Sequence, residues 1–136
     1  MKILIDTNII IDILEQREPF FKDSYRVIQL GLQGKFETFM SAGAVTDVYY
    51  VIRRSTGNAI KAREKTMALS ALLKICDTTA KDIAAGLSLS ITDFEDAVIA
   101  ATAAREKADY IVTRNETDFV NSPIPAISAA QLLCTF

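Results

Sequence analysis

The sequence predicts a three-layer α/β/α fold in which helices cover both faces of a mostly parallel central sheet. Short apolar runs alternate with segments of helical periodicity along the chain, and the first run, "ILI" at residues 3–5, is continuously apolar, as is typical of a buried parallel strand. Strands that alternate with helices build a parallel sheet. The chain has 136 residues, half of them hydrophobic, so we expect one domain over residues 1–136 with a core of its own.

The predicted elements follow one another without repeats or linkers. A strand over residues 2–5 leads into a helix that begins near residue 9 and ends before Pro19, because the residue before a proline is pushed out of the helical conformation. A helix over residues 20–32 ends before Gly34 and a strand at "FETFM". The remaining predicted elements are helices over residues 41–52 and 59–73, a strand at "LKICDT", a short Ala-rich helix, a helix over 93–107, strands at "YIVT" and "PAIS", and a helix over 129–133.

The amino-acid composition restricts the chemistry to carboxylates. Histidine is absent, which excludes Ser-His and Cys-His nucleophile systems and a histidine general base. The two cysteines, Cys76 and Cys134, are far apart and next to apolar residues, so we interpret them as reduced core thiols and not as a disulfide or a zinc site. Carboxylate oxygens suit hard cations such as Mg²⁺ and Mn²⁺.

The N-terminus does not predict export or membrane insertion. It lacks the order of basic, apolar and small residues that a signal peptide shows, and no apolar run approaches the ~20 residues needed to cross a bilayer. We therefore expect a cytoplasmic protein with no membrane association.

Asp6 directly follows the first strand and has two interpretations. A carboxylate at the end of a buried parallel strand lies at the carboxyl edge of the sheet, where open α/β sheets bind their ligands. Alternatively, Asp6 or Asn8 only caps the helix that follows, as both residue types often do.

Two further aspartates lie early in predicted helices. In "ITDFEDAVIAATAA", we expect Thr92 and Glu95 to form a capping box and Asp93 to favour the helix dipole, which leaves Asp96 without a local explanation. Asp47 lies inside a helix, where aspartate costs on the order of half a kcal/mol relative to alanine. A solvated outer face is the commoner location of a lone aspartate, so a role for Asp47 depends on its neighbours.

The segment "YIVTRNETDF" again places polar residues after an apolar strand. Thr113 and Asn115 would lie at the carboxyl edge of the sheet, and Asp118 would follow on a helical turn capped by Asn115. Asp47 and Asp96 belong to helices that begin near the same edge. We therefore expect four carboxylates to converge there.

These motifs, in this order, resemble the PIN domain, the nuclease fold of VapC-type toxins from toxin–antitoxin pairs. The resemblance rests on "LIDTNIIID", the aspartate of "TDVYYVIRR", "DFEDAVIAATA" and "IVTRNETDF", and spans nearly the whole chain. It implies metal-site and catalytic carboxylates at Asp6, Asp47, Asp96 and Asp118, with Asn8, Thr113 and Asn115 as supporting polar residues. Many members carry glutamate at the position of Asp47, and its shorter arm would change which metal oxygen or bridging water it reaches.

The resemblance implies an Mg²⁺- or Mn²⁺-dependent endoribonuclease that pairs with an antitoxin and forms a homodimer. The formal charge of the chain is −2, so RNA phosphates would need a local basic surface, for which Arg53, Arg54 and Arg114 are the candidates. Tryptophan is absent and base stacking is not evident, so we expect binding through the RNA backbone. Two alternatives remain: a PIN fold of weakened activity that binds RNA or protein, and a receiver-like signalling domain.

Overall fold

The computed structural model describes residues 1–136 and contains one five-stranded sheet in which all neighbouring strands pair in parallel. The order across the sheet is β3-β2-β1-β4-β5, so the first strand is central. The strands are β1 (Lys2–Ile5), β2 (Glu37–Ser41), β3 (Lys74–Cys76), β4 (Tyr110–Val112) and β5 (Ala126–Ile127). The predicted parallel sheet is confirmed.

Seven helices connect and cover these strands. They are α1 (Thr7–Leu14), α2 (Phe21–Leu32), α3 (Ala42–Thr56), α4 (Ala59–Leu72), α5 (Ala80–Ser88), α6 (Phe94–Arg105) and α7 (Ala129–Leu133), and a 3₁₀ turn spans Glu116–Phe119. No helix combines the length and the apolar composition that crossing a bilayer requires.

Several helix boundaries differ from the prediction: α1 already ends at Leu14, four residues earlier than expected, and α6 spans Phe94–Arg105 and not 93–107. Helix α1 begins at Thr7 and not near residue 9, because Asp6 caps it. Helix α3 continues to Thr56 and not only to residue 52; it ends where Gly57 takes a φ of 63°, a left-handed conformation that glycine adopts at little cost.

The two faces of the sheet have separate hydrophobic cores. Ile3 and Ile5 point into the larger core with residues of α1, α2, α3, α4 and α7, whereas Leu4 points to the opposite face and packs with residues of α6. Because successive side chains of a strand alternate between faces, one short apolar strand serves both cores. The burial of each isoleucine side chain contributes about 1.5–3 kcal/mol to the free energy of folding. Helices on both faces confirm the three-layer arrangement.

Helix α6 packs on the face of the sheet to which Leu4 points. A close contact and an ion pair hold it against α5. A Cβ on Gly86 would lie 3.2 Å from the backbone nitrogen of Val98, so glycine permits the close approach of the two helices. Asp82 is 1% exposed and accepts hydrogen bonds from Arg105 Nε at 2.8 Å and from the Thr79 amide at 2.9 Å. These contacts fix the position of α6 relative to α5.

The predicted core location is wrong for Cys134, whereas Cys76 packs against the core on the α6 face of the sheet. Both are free thiols, but Cys134 is exposed and Cys76 is half-buried. Cys134 is the C-cap residue of α7, a helix of only five residues.

Candidate functional site

Asp6 lies at the carboxyl edge of the sheet and also caps the helix that follows. It follows β1, is 4% exposed, and caps α1 because its Oδ1 accepts the Thr7 amide at 2.7 Å. Its Oδ2 accepts the hydroxyl of Thr113 at 2.8 Å, directly after the neighbouring strand β4. The chain runs from β1 outward to β3 on one side and returns to β4 on the other, so Asp6 lies at the topological switch point of the sheet.

The predicted supporting residues form one hydrogen-bonded network around Thr113. The Thr113 hydroxyl is fully buried; besides donating to Asp6 it accepts the Asn115 amide at 3.1 Å and Asn8 Nδ2 at 3.4 Å. The Asn8 side-chain oxygen accepts the amide of Arg114 at 3.2 Å. These bonds join the end of β1 to the segment after β4 and hold the Asp6 carboxylate in one orientation.

Asp96 lies in the first turn of α6, whose cap differs from the predicted one. The N-cap is Asp93, whose Oδ1 accepts the Asp96 amide at 3.0 Å, and the helix begins at Phe94. The predicted capping box of Thr92 and Glu95 is therefore wrong. Aspartate is at least as good a cap as threonine, and a start one residue later brings Asp96 to the third helical position.

Asp118 and Asp47 approach the same edge from two other elements. Asp118 lies in the 3₁₀ turn, and its amide donates to the backbone carbonyl of Asn115 at 3.0 Å. The side chain of Asn115 makes no capping bond, so the predicted Asn115 cap is wrong. Asp47 is half-buried in the second turn of α3.

Repulsion between these carboxylates contributes to the shifts of their pKa values. Burial, followed by repulsion from Asp6, Asp93 and Asp118, raises the pKa of Asp96 to about 7. Burial also raises the pKa of Asp6, an effect that the hydrogen bonds from Thr113 and Thr7 oppose. Desolvation and like charges both disfavour the ionised form. The edge therefore carries a concentration of negative charge.

The cluster extends to Asp47 through Glu95. Repulsion by Asp47 is the first cause that raises the pKa of Glu95, and burial, followed by Asp93, raises the pKa of Asp47. Asp93 and Glu95 were attributed to capping in the sequence analysis and were missed as members of the cluster. The signal that could have revealed them is the density of acids in "DFED" at the start of a helix that begins beside the carboxyl edge.

No basic side chain neutralises the cluster. None of the four predicted carboxylates takes part in an ion pair of the structure. No group of three or more Asp, Glu or Cys side chains is close enough to hold a metal ion as a ready-made cage. The donor chemistry nevertheless fits Mg²⁺, because this ion usually takes only one or two carboxylates directly and keeps several waters.

The predicted RNA-binding arginines occupy different surroundings. Arg114 Nε pairs with the fully buried Asp12 at 2.7 Å, and its guanidinium lies 4.5 Å from the ring centre of Phe20. Arg53 and Arg54 are exposed in the last turn of α3, about two helical turns beyond Asp47. The structure thus brings Arg114 next to the network of Asp6, whereas the other two lie further along α3.

The fold and this edge define a class of protein: an α/β/α domain with unpaired carboxylates at the switch point of a parallel sheet. A family model described as PIN domain matches residues 2–117, and the chain belongs to the PIN domain family.

The chain is also similar to proteins of known name. It is 36% identical over 53 residues to Ribonuclease VapC1 of Aquifex aeolicus (strain VF5); the match covers 39% of this chain and 37% of that protein. A chain in the crystal structure of VapBC2 from Rickettsia felis bound to a DNA fragment of their promoter superposes with a TM-score of 0.77 at 21% identity, covering 94% of this chain and 98% of that one. A chain of a toxin–antitoxin complex from Klebsiella pneumoniae gives 0.68 at 23% identity, with 93% and 96% covered.

Proposed function

We propose that this protein is a metal-dependent endoribonuclease and the toxin of a toxin–antitoxin pair. One observation carries the proposal: Asp6, Asp96 and Asp118, on three separate elements, repel one another at the switch point of a PIN fold without a basic partner. The similarity to a protein named ribonuclease and to chains from VapBC and toxin–antitoxin complexes supports the same conclusion.

The carboxylates of Asp6, Asp96, Asp118 and Asp47 would hold Mg²⁺ or Mn²⁺, one or two of them directly and the others through waters of the cation. When bound, the cation supplies a water of lowered pKa and a positive charge that screens the scissile phosphate. The protein has no histidine to take over either role.

The protein's own residues orient and prepare this site. Thr7 and Thr113 each donate to a different oxygen of Asp6, so its carboxylate cannot rotate freely. Asp96 has a pKa of about 7 and is partly protonated near neutral pH, so the entry of a cation would release a proton from it. The binding of a cation would therefore relieve the repulsion between these carboxylates.

RNA would bind through its phosphates, and because the chain as a whole carries a formal charge of −2, this binding would need a local basic surface. Arg114 is the basic side chain placed beside the Asp6 network, and Arg53 and Arg54 would contact the strand further along α3. We also propose that the protein binds an antitoxin, forms a homodimer and is located in the cytoplasm. The toxin–antitoxin complexes among the structural neighbours support the antitoxin partner.

The experiment combines cation binding with RNA cleavage. Purified protein is titrated with Mn²⁺ by calorimetry and then incubated with structured and unstructured RNA in Mg²⁺, in Mn²⁺ or in EDTA. Loss of a residue that only supports a ligand already costs about 10–100-fold in activity, so we expect Asp6→Asn to lose more than about 100-fold. The control is Asp23→Asn, which makes the same change on the exposed surface of α2.

Two results would contradict the proposal. Tight Mn²⁺ binding without cleavage of any RNA would favour the alternative of a PIN-fold binding module. Cleavage that persists in EDTA, or equally in Asp6→Asn, would mean that these carboxylates are not the active site. Membership of the PIN family replaces the receiver-like alternative.

A further inference from the structure

A cavity of about 220 Å³ lies beside the acidic cluster, between the start of α3, helix α5 and the first turns of α6. Its walls include the apolar side chains of Ile83, Phe94 and Val98, and the carboxylate residues Asp47 and Glu95 also line it. Two residues of the cluster therefore belong to the cavity as well. A ligand in it would lie next to the proposed site of cleavage.

Two large apolar residues of this cavity lie outside both hydrophobic cores. Phe94 is 46% exposed and Ile83 is 39% exposed, and neither belongs to one of the two hydrophobic cores. Large apolar side chains that remain accessible beside a functional site commonly contact a ligand. Ile83 on α5 and Phe94 on α6 thus leave an accessible apolar surface between their helices.

The cavity has two carboxylates that are free to accept hydrogen bonds, and the hydroxyls of Ser41 and Thr78 each keep one O–H donor. Thr78 Oγ1 already accepts the Gly43 amide at 3.0 Å, and Ser41 Oγ accepts the Ala44 amide at 3.3 Å. The structure contains no hydrogen bond to the side chain of Asp47 or Glu95, and an ionised carboxylate can only accept. The cavity therefore suits a ligand with apolar faces and N–H donors along one edge.

We propose that this cavity binds one unpaired guanine base of the RNA substrate, with Phe94 as its stacking surface and Glu95 as the residue that reads its edge. The inference rests on the proposed nuclease function. A volume of about 220 Å³ is below the range of about 300–1,000 Å³ that takes a drug-sized ligand, so it suits a base and not a whole nucleotide. Unpaired RNA bases are commonly stacked on aromatic side chains and read on the Watson–Crick edge.

The donor pattern of the bases selects guanine. Guanine presents N1–H and the N2 amino group side by side, so both oxygens of one carboxylate can accept from it. Adenine and cytosine offer one amino donor next to a ring acceptor. Uracil offers one N–H between two carbonyl oxygens, which a carboxylate repels. Glu95 is the reader because Asp47 is assigned to the cation and Glu95 has the longer side chain.

The test uses oligouridines that carry a single central G, A, C or U. We expect cleavage in Mn²⁺ next to the guanosine, with kcat/KM about tenfold or more above the all-uridine RNA, the size of one stacking or base-edge contact. Phe94→Leu keeps an apolar side chain and should lower kcat/KM for the guanosine RNA about tenfold. Glu95→Gln replaces one acceptor by a donor and should reduce the G-to-U ratio to within about threefold.

Two controls match these changes on exposed surfaces outside the cavity. Leu87→Ala alters an apolar residue of α5 that is 70% exposed, and Glu64→Gln neutralises an exposed carboxylate of α4; both should leave the G-to-U ratio unchanged. Because Phe94 and Glu95 are exposed as well, circular dichroism should show all four variants folded.

Two results would overturn the inference: equal cleavage of the four RNAs, or a G-to-U ratio that neither cavity variant changes. The cavity would then be expected to bind a side chain of a protein partner. If the wild type cleaves no RNA in Mn²⁺, the proposed function fails and the same four RNAs test the cavity by fluorescence anisotropy. Preferential binding of the guanosine RNA that Phe94→Leu removes would then support the subsite, and equal binding would overturn it.

Discussion

Replacement of Asp96 by asparagine is expected to stabilise the cation-free protein, and the gain should grow with pH. In the folded protein, burial and the neighbouring carboxylates raise the pKa of Asp96 to about 7 from an ordinary value of 3.8. Between these two values the unfolded chain has lost this proton while the folded protein keeps it. The free energy of unfolding of the wild type therefore falls as the pH rises through this window, and asparagine removes that loss.

The expected size follows from the two pKa values. Their difference corresponds to about 4 kcal/mol, at 1.36 kcal/mol for each tenfold change in proton affinity. Asp96 is only half-buried, so solvent screening reduces this figure, and the variant loses a favourable charge of about 0.3–1 kcal/mol in the first turn of α6. We expect a net gain of about 1–2 kcal/mol above pH 7 and almost none at pH 4. The midpoint of thermal unfolding should rise by about 3–10 °C.

Thermal unfolding followed by circular dichroism from pH 4 to 8.5 in EDTA measures this effect. Glu64→Gln neutralises an exposed carboxylate of α4 and should change stability by less than about 0.5 kcal/mol at every pH. With Mn²⁺ at 100 times its dissociation constant the wild type should gain about 2.7 kcal/mol, whereas Asp96→Asn should gain less. A variant that is destabilised equally at all pH values would refute the reasoning, because Asp96 would then be a structural residue.

Three further predictions concern residues that support the fold or the site. Asp82→Asn should lower the free energy of unfolding, measured in urea at pH 7, by about 2 kcal/mol. Arg105 lowers the pKa of Asp82, so this difference between variant and wild type should disappear as the pH falls well below 3.8. Thr113→Val should lower cleavage about tenfold or more and stability by about 1 kcal/mol, because Asp6 loses its hydroxyl donor; unchanged kcat would contradict the positioning role. Asp12→Asn should lower the free energy of unfolding in urea by about 2–3 kcal/mol, because Arg114 loses its charged partner. The double variant Asp12→Asn with Arg114→Met should recover most of this loss.

The sequence was sufficient for the fold because the apolar signals are local and regular. The run from Ile3 to Ile5 and the helical spacing that follows predict the central strand and its helix without tertiary information. The helix boundaries were less accurate, since Asp6 and Asp93 act as caps and a cap depends on one side-chain hydrogen bond. The end of α3 depended on a single left-handed residue, Gly57.

For the candidate site, the sequence predicted the acids that local structure cannot explain and missed those that it can. No neighbour in the sequence accounts for Asp96, and in the structure other carboxylates repel it. The position of Asp93 at a helix start is explained by capping alone, yet Asp93 caps α6 and repels Asp6 and Asp96 at the same time. The pairing of Arg114 with Asp12 is equally hidden in the sequence, because the two residues are distant along the chain and meet only through the parallel sheet.

The two ends of α6 show the difference between a carboxylate that stabilises the fold and one that points to a function. Beside the last turn of α6, the carboxylate of Asp82 is paired with Arg105, which lowers its pKa, so the ionised group stabilises the fold. In the first turn, Asp96 is surrounded by carboxylates that raise its pKa, so the ionised group opposes folding. The chain has 15 lysines and arginines, and none of them forms an ion pair with the cluster. Because such a pairing would reduce the repulsion, the proposed cation would supply the positive charge that this edge lacks.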